Sequence, residues 1–126
     1  MPMTYRIDSD AGMLFVVGDG AITQSERLGA MHAWLRHPAY RPGLRTLCDF
    51  SAATSTPTMS DLHEIVALLE QQATAIGRKK VAMVTASPVT FGVARQFQAL
   101  TDSGPLQVRV FTDRTAALGW LDRDGP

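Results

Sequence analysis

The chain has 126 residues, the length of one domain, with 45% apolar and 19% charged side chains; that is ordinary globular usage, and roughly two-thirds of the unfolded surface can be buried at this length. Twelve Lys and Arg cancel twelve Asp and Glu, so the basic field behind nucleic-acid affinity is missing and no DNA or RNA partner is expected. The lone Cys48 excludes an internal disulfide or a thiolate zinc site, and no run approaches the ~18 apolar residues of a membrane span.

The opening Met1-Pro2-Met3-Thr4-Tyr5-Arg6 lacks the apolar run of a secretion signal, so the cytoplasm is the expected compartment. Residues 4–8 alternate, with Tyr5 and Ile7 on one face, and read as a short strand. Ser9-Asp10-Ala11-Gly12 is turn chemistry and leads into the apolar run Met13-Leu14-Phe15-Val16-Val17-Gly18, so the first two strands form an antiparallel hairpin that Asp19-Gly20 ends. Thr23 with Glu26 is a capping-box pattern, and Leu28, Met31 and Leu35 then recur at helical spacing beside Trp34. Pro38 and Pro42-Gly43 break the chain before a third strand at 44–50. In the stretch 51–60, six of ten residues carry hydroxyls. A second capping box, Thr58 with Asp61, opens the longest helix, whose apolar stripe is Leu62, Ile65, Val66, Leu69, Ala73 and Ile76, with Gly77 at its end. Lys79-Lys80 precede a fourth strand, 81–86, apolar on both faces. Ser87-Pro88 caps a third helix carrying Val93, Phe97 and Leu100, which Ser103-Gly104-Pro105 ends. Residues 107–111 alternate as a fifth strand, and Asp113 caps a last helix with Ala117, Leu118, Trp120 and Leu121.

The order ββαβαβαβα predicts a single α/β domain over residues 1–126. Its sheet is five-stranded and mostly parallel, with an antiparallel first strand and right-handed crossovers. Strands 13–18 and 81–86, apolar on both faces, belong in the centre; 4–8 and 107–111 alternate and belong near the edges. If all four helices sat on one face, the other would need a cover: a second subunit, a ligand, or helices split between the faces. An exposed apolar sheet face is an association site, so a homodimer is expected. Trp120 and Leu121 are expected to anchor the last helix to the core.

No constellation for catalysis or metal binding emerges. His32 and His37 are five apart, and His63, beside Glu64 on another helix, falls off the apolar stripe as a solvated residue. Glycine motifs for nucleotides and a nucleophile elbow are both missing from the sequence, so neither a cofactor nor an enzymatic role is expected. Cys48 in its apolar strand reads as a small buried hydrophobe. The remaining chemistry lies at the carboxyl ends of the parallel strands, where open α/β sheets bind ligands and helix N-termini favour anions. There Asp49, Ser51, Ser60, Ser87, Phe91 and Arg95 are expected to converge on one cleft between the helices starting near 59 and 88. Phe91 supplies apolar wall, Arg95 charge for an anionic head group, and Met59 a flexible opposite side. The plainer reading is that the hydroxyls only cap and make turns and that Phe91 and Phe97 are core.

The chain resembles the SpoIIAA-like group of bacterial proteins, relatives of the STAS domains of anti-sigma-factor antagonists. The likeness runs from Tyr5 to Leu121 and is carried by Cys48-Asp49-Phe50-Ser51, Lys80-Val81-Ala82-Met83-Val84, Phe91-Gly92-x-Ala94-Arg95-x-Phe97, Val110-Phe111 and Ala117-Leu118-x-Trp120-Leu121. The resemblance implies a superhelical sheet of the kind shared with CRAL-TRIO lipid carriers, a homodimer, and a capacity for lipophilic ligands or peripheral contact with a membrane surface. Regulatory STAS proteins open the helix after the third strand with an Asp-Ser-Ser-Gly-type phosphoacceptor; here the sequence is Thr58-Met59-Ser60-Asp61, with no glycine and with Ser60 nearest in position. The first functional expectation is a non-catalytic module for a small, partly apolar, lipid-like ligand. The second is a STAS-type regulator that binds a protein partner and is switched by phosphorylation in residues 51–60.

Overall fold

In the computed structural model, which describes residues 2–123, helices begin where the sequence places capping residues. Thr23 Oγ1 accepts from the Glu26 amide at 3.1 Å while Glu26 Oε1 accepts from the Thr23 amide at 2.8 Å, opening α1 (Gln24–Arg36). The same reciprocal box between Thr58 and Asp61 opens α2 (Met59–Gln71), and Ser87 with Thr90 opens α4 (Pro88–Leu100). Asp113 accepts from the amides of Thr115 and Ala116 to start α5 (Arg114–Asp122). Each cap satisfies amides that the first turn leaves without an intrahelical partner.

The stripe after Thr58 is not one helix. Gln72 departs from helical dihedrals at φ −103°, ψ 17°, and a separate turn, α3 (Ala73–Ile76), follows. Leu62, Ile65 and Leu68 are buried on α2 and Ile76 on α3, while Leu69, expected in the stripe, is only half-buried. The helix is also no longer than α1 or α4; each has 13 residues. Gly77 ends α3 at φ +72°, and a Cβ there would stand 2.7 Å from the Gly43 amide, so glycine is needed both for its dihedral and for the close passage of the 42–43 loop.

The strands are β1 (Met3–Asp8), β2 (Met13–Gly20), β3 (Arg45–Ala53), β4 (Lys79–Val84) and β5 (Leu106–Phe111), in the spatial order β1-β2-β3-β4-β5. β1 pairs antiparallel with β2, and the other neighbours pair parallel. The alternating strands lie at the edges, as their pattern requires. Several boundaries move, and β4 stops at Val84 rather than at 86. β2 runs through Asp19-Gly20 past a bulge at Val17/Asp19, giving Ala52 and Ala53 partners and lengthening β3 into the hydroxyl-rich stretch. Lys79 and Lys80 pair with Leu106 and Gln107 as strand residues rather than preceding the strand.

Right-handed crossovers along a sheet built in chain order put α1, α2 and α4 on one face. Their Met31, Leu62, Ile65, Leu68 and Phe97 pack there against Leu14, Val16, Cys48, Val81 and Val108. Helix α5 lies on the other face, where Ala117, Trp120 and Leu121 meet Leu47, Ala82 and Val84. The helices are therefore split, and α5 supplies the cover for which a second subunit was one candidate. Trp120 and Leu121 are buried as expected, at 5% and 0% exposure. Residue 1 and residues 124–126 of the expected domain lie outside the described residues.

Candidate functional site

The strand pleat divides the expected rim residues. On β3, Thr46, Cys48 and Phe50 look toward α2 and α4, while Leu47, Asp49 and Ser51 stand on the α5 side. Asp49 accepts from the Ser51 amide and hydroxyl and from Arg114 Nη1 on α5, the last at 3.0 Å. Burial works to raise the Asp49 carboxyl, but the bonds from Ser51 and Arg114 outweigh it and hold the group below the ordinary carboxylate range. Met59 and Ser60 are exposed in the first turn of α2, Ser87 is exposed at its cap, Phe91 is half-buried and Arg95 exposed. None of the seven residues lines the space beneath α2 and α4. Helical phase explains α4: Thr90, Ala94 and Phe97 turn inward, and Phe91 and Arg95, one position on, fall about 100° away. The hydroxyls of Ser51, Ser55 and Thr58 serve Asp49, the Ile22 backbone and the α2 cap, the plainer role weighed for that stretch.

Beneath those helices lies a cavity of about 150 Å³. Its floor is Thr46, Cys48 and Phe50 of β3 with Lys79, Val81, Met83 and Thr85 along β4 and just past its end. Its walls are Met31 and Trp34 of α1, Leu62, Ile65 and Leu69 of α2, and Thr90, Val93 and Phe97 of α4. Residues 55–57 line it at the carboxyl edge. The space exists because α2 approaches no strand as closely as α4 approaches β5 or α5 approaches β4, and because much of the lining beneath it is small. Helix α2 is tied sideways instead: Gln24 Nε2 donates to the Asp61 carbonyl at 3.0 Å and to Glu64 Oε1 at 2.9 Å.

Two cations border this apolar space. Arg27 is provided for: it donates to the Ile22 carbonyl at 3.0 Å and lies 3.8 Å from Asp61. Burial lowers its pKa and Asp61 counters that pull. Lys79 is not. Its Nζ donates to Thr46 Oγ1 at 2.9 Å and to Tyr40 Oη at 3.3 Å. The hydroxyls of Thr46 and Tyr40 themselves donate to the carbonyls of Leu44 and Ile76, so both act as acceptors toward the amine. Burial lowers the Lys79 pKa to about 8 against the pull of nearby Cys48. Burial also pushes the Cys48 thiol up to about 12 and the Tyr40 phenol up to about 12, so neither supplies a counter-charge at neutral pH. Among the described residues, no Asp or Glu lines the cavity. At the far end, the buried Thr85 Oγ1 has no hydrogen-bond partner among the described residues. The sequence carried a signal for this site, since period-two alternation puts Lys79 on the face of Val81, Met83 and Thr85.

These features define an α/β domain with a sequentially ordered mixed sheet, helices on both faces and a largely apolar pocket on the three-helix side. No family model and no curated protein matches the chain. Among solved structures it resembles an uncharacterised protein of the DUF3478 family with a SpoIIAA-like fold from Shewanella loihica PV-4. The TM-score is 0.61 at 16% identity, covering 94% of this chain and 91% of that one. The fold of this chain is SpoIIAA-like.

Proposed function

We propose that the chain is a non-catalytic binding module that encloses a small, mostly apolar ligand between its sheet and helices α1, α2 and α4. The cavity of about 150 Å³ carries this reading. An apolar void of that order stays dry and takes up a molecule about the size of one aromatic ring. A ligand that fills the space gains packing contacts that its lining side chains lack, and those contacts give it affinity. The volume suits a ring or a chain of about eight carbons, and not a two-chain lipid. No helix among the described residues is long and apolar enough to cross a membrane.

Trp34 lines the cavity and Trp120 lies on the opposite face of the sheet, so Trp120→Phe leaves one tryptophan, placed at the site. Native mass spectrometry after mild purification is expected to show a small adduct that unfolding releases. Addition of 1-octanol or octanoate to the stripped Trp120→Phe protein is expected to change Trp34 emission saturably. An adduct-free mass together with unchanged emission toward both compounds would overturn the binding role.

A further inference from the structure

An ammonium group facing an apolar cavity with no carboxylate beside it is an unusual expense for a small domain. The geometry around Lys79 makes the gap specific. Thr46 and Tyr40 accept two of its N–H bonds, and a protonated amine has three hydrogens to give. Cys48 and Tyr40, the titratable neighbours, are neutral near pH 7. The other cation in the lining, Arg27, already has Asp61 and a backbone carbonyl. Lys79 and Leu106 also border an open depression at the amino ends of the strands, with Arg45, Arg78, Lys80 and Arg123 around it and Asp102 the one acid in its lining among the described residues. Asp122 offsets Arg45 at 3.8 Å, but the remaining field at that end favours an anion.

We infer that the cavity takes a short-chain monocarboxylate, its carboxylate on Lys79 Nζ and its hydrocarbon body along Val81 and Met83 toward Thr85. This rests on the binding role proposed above and gives it a chemical class. A single uncompensated cation matches a monoanion; a phosphate dianion needs a second free cation, and Arg27 is engaged. From residue 79 to residue 85 the strand direction runs about 20 Å, of which the lysine stem covers part, so a body of about eight carbons fits between. A carbonyl or hydroxyl on the far end of such a chain would also meet the unpartnered Thr85 Oγ1.

The test compares octanoate with 1-octanol on the Trp120→Phe protein at pH 7, read by Trp34 emission, with and without Lys79→Met. Octanoate is expected to bind at least about tenfold more tightly than octanol, in line with a hydrogen bond to a charged group. Lys79→Met should abolish that preference, so that the two compounds bind alike, and far-UV circular dichroism checks that the variant is folded. Equal affinities in the parent, or an octanoate preference that survives Lys79→Met, would overturn the carboxylate inference alone. Failure of both compounds to bind would overturn the binding role itself. Octanal captured on Lys79 by borohydride reduction, with octanoate not bound, would replace the anion site by an imine-forming amine and so also overturn the inference.

Discussion

Lys79→Met is expected to make the protein more stable at neutral pH, which is the reverse of what deleting a hydrogen-bonded residue usually does. The amine titrates at about 8 against an ordinary 10.5 because burial disfavours its charge. At ~1.4 kcal/mol per pKa unit, that difference corresponds to about 3 kcal/mol of strain in the folded state at pH 7. Methionine has nearly the same reach and no charge. The bonds it gives up leave no orphaned donor, since Thr46 and Tyr40 keep their own carbonyl partners. Loss of the Lys79–Tyr40 ring contact at 5.5 Å subtracts a few tenths of a kcal/mol. Allowing for the partly exposed stem, a net gain of about 1–2 kcal/mol is expected by urea denaturation at pH 7. The pH dependence fixes the cause. Below pH 8 both folded and unfolded chains hold the proton and the whole penalty is present. Between about 8 and 10.5 the folded chain sheds its proton first, so the parent gains stability with rising pH and the advantage of the variant shrinks. Cys48 and Tyr40, with raised values, erode stability in both proteins above pH 9 to 10, so they largely cancel in the difference. A variant less stable than the parent at pH 7, or a difference that does not change up to pH 9.5, would refute the reasoning.

Trp120→Ala should cost about 3–5 kcal/mol, because the buried ring packs on Phe111 at 5.7 Å and closes the α5 face; Trp120→Phe should cost far less, since the indole N–H it removes has no acceptor. An unchanged denaturation midpoint for the alanine variant would show the ring to be idle. Thr85→Val removes a buried hydroxyl without a partner and should stabilise the unliganded protein by about 1 kcal/mol; a loss of stability would reveal a partner for that oxygen. Gly18→Ala would put a Cβ 2.5 Å from Phe50 and 2.8 Å from Ile22, an overlap expected to cost about 1–3 kcal/mol and, by pushing Phe50 into the cavity, to weaken octanoate binding; calorimetry on the variant checks both.

Alternating or continuous apolar runs located every strand, and capping residues every principal helix start, because these signals are local: a Thr-x-x-Glu box or a short apolar run depends on a few neighbours. The split of the helices was open in sequence because it depends on where the last one goes after the final strand, which no crossover constrains. The site was harder. The carboxyl edge was a sound general expectation, but Asp49 and Ser51 sit one pleat out of phase with Cys48 and Phe50, and Phe91 and Arg95 sit one helical step out of phase with Thr90 and Ala94. A shift of one residue, invisible to composition, decides which face a side chain meets. Lys79 was passed over because Lys79-Lys80 were placed ahead of the strand; once the ladder with Leu106 and Gln107 makes them strand residues, alternation turns Lys79 to the face of Val81 and Lys80 to the other.

Because the strands lie in the sheet in chain order, every ladder joins consecutive strands, and the sheet can grow by adding one neighbour at a time. Loop closures stay short, which favours quick folding for a parallel sheet. The three-helix side is finished once α4 and β5 are in place, whereas Leu47, Ala82 and Val84 stay bare until α5, the last element, docks. During refolding, emission of a hydrophobic dye should therefore rise early and decay only with the burial of Trp120; decay well before that burial would argue against this order. On the ribosome the same order leaves that face bare until α5 has emerged, so a nascent chain that still lacks α5 is the form most prone to aggregate.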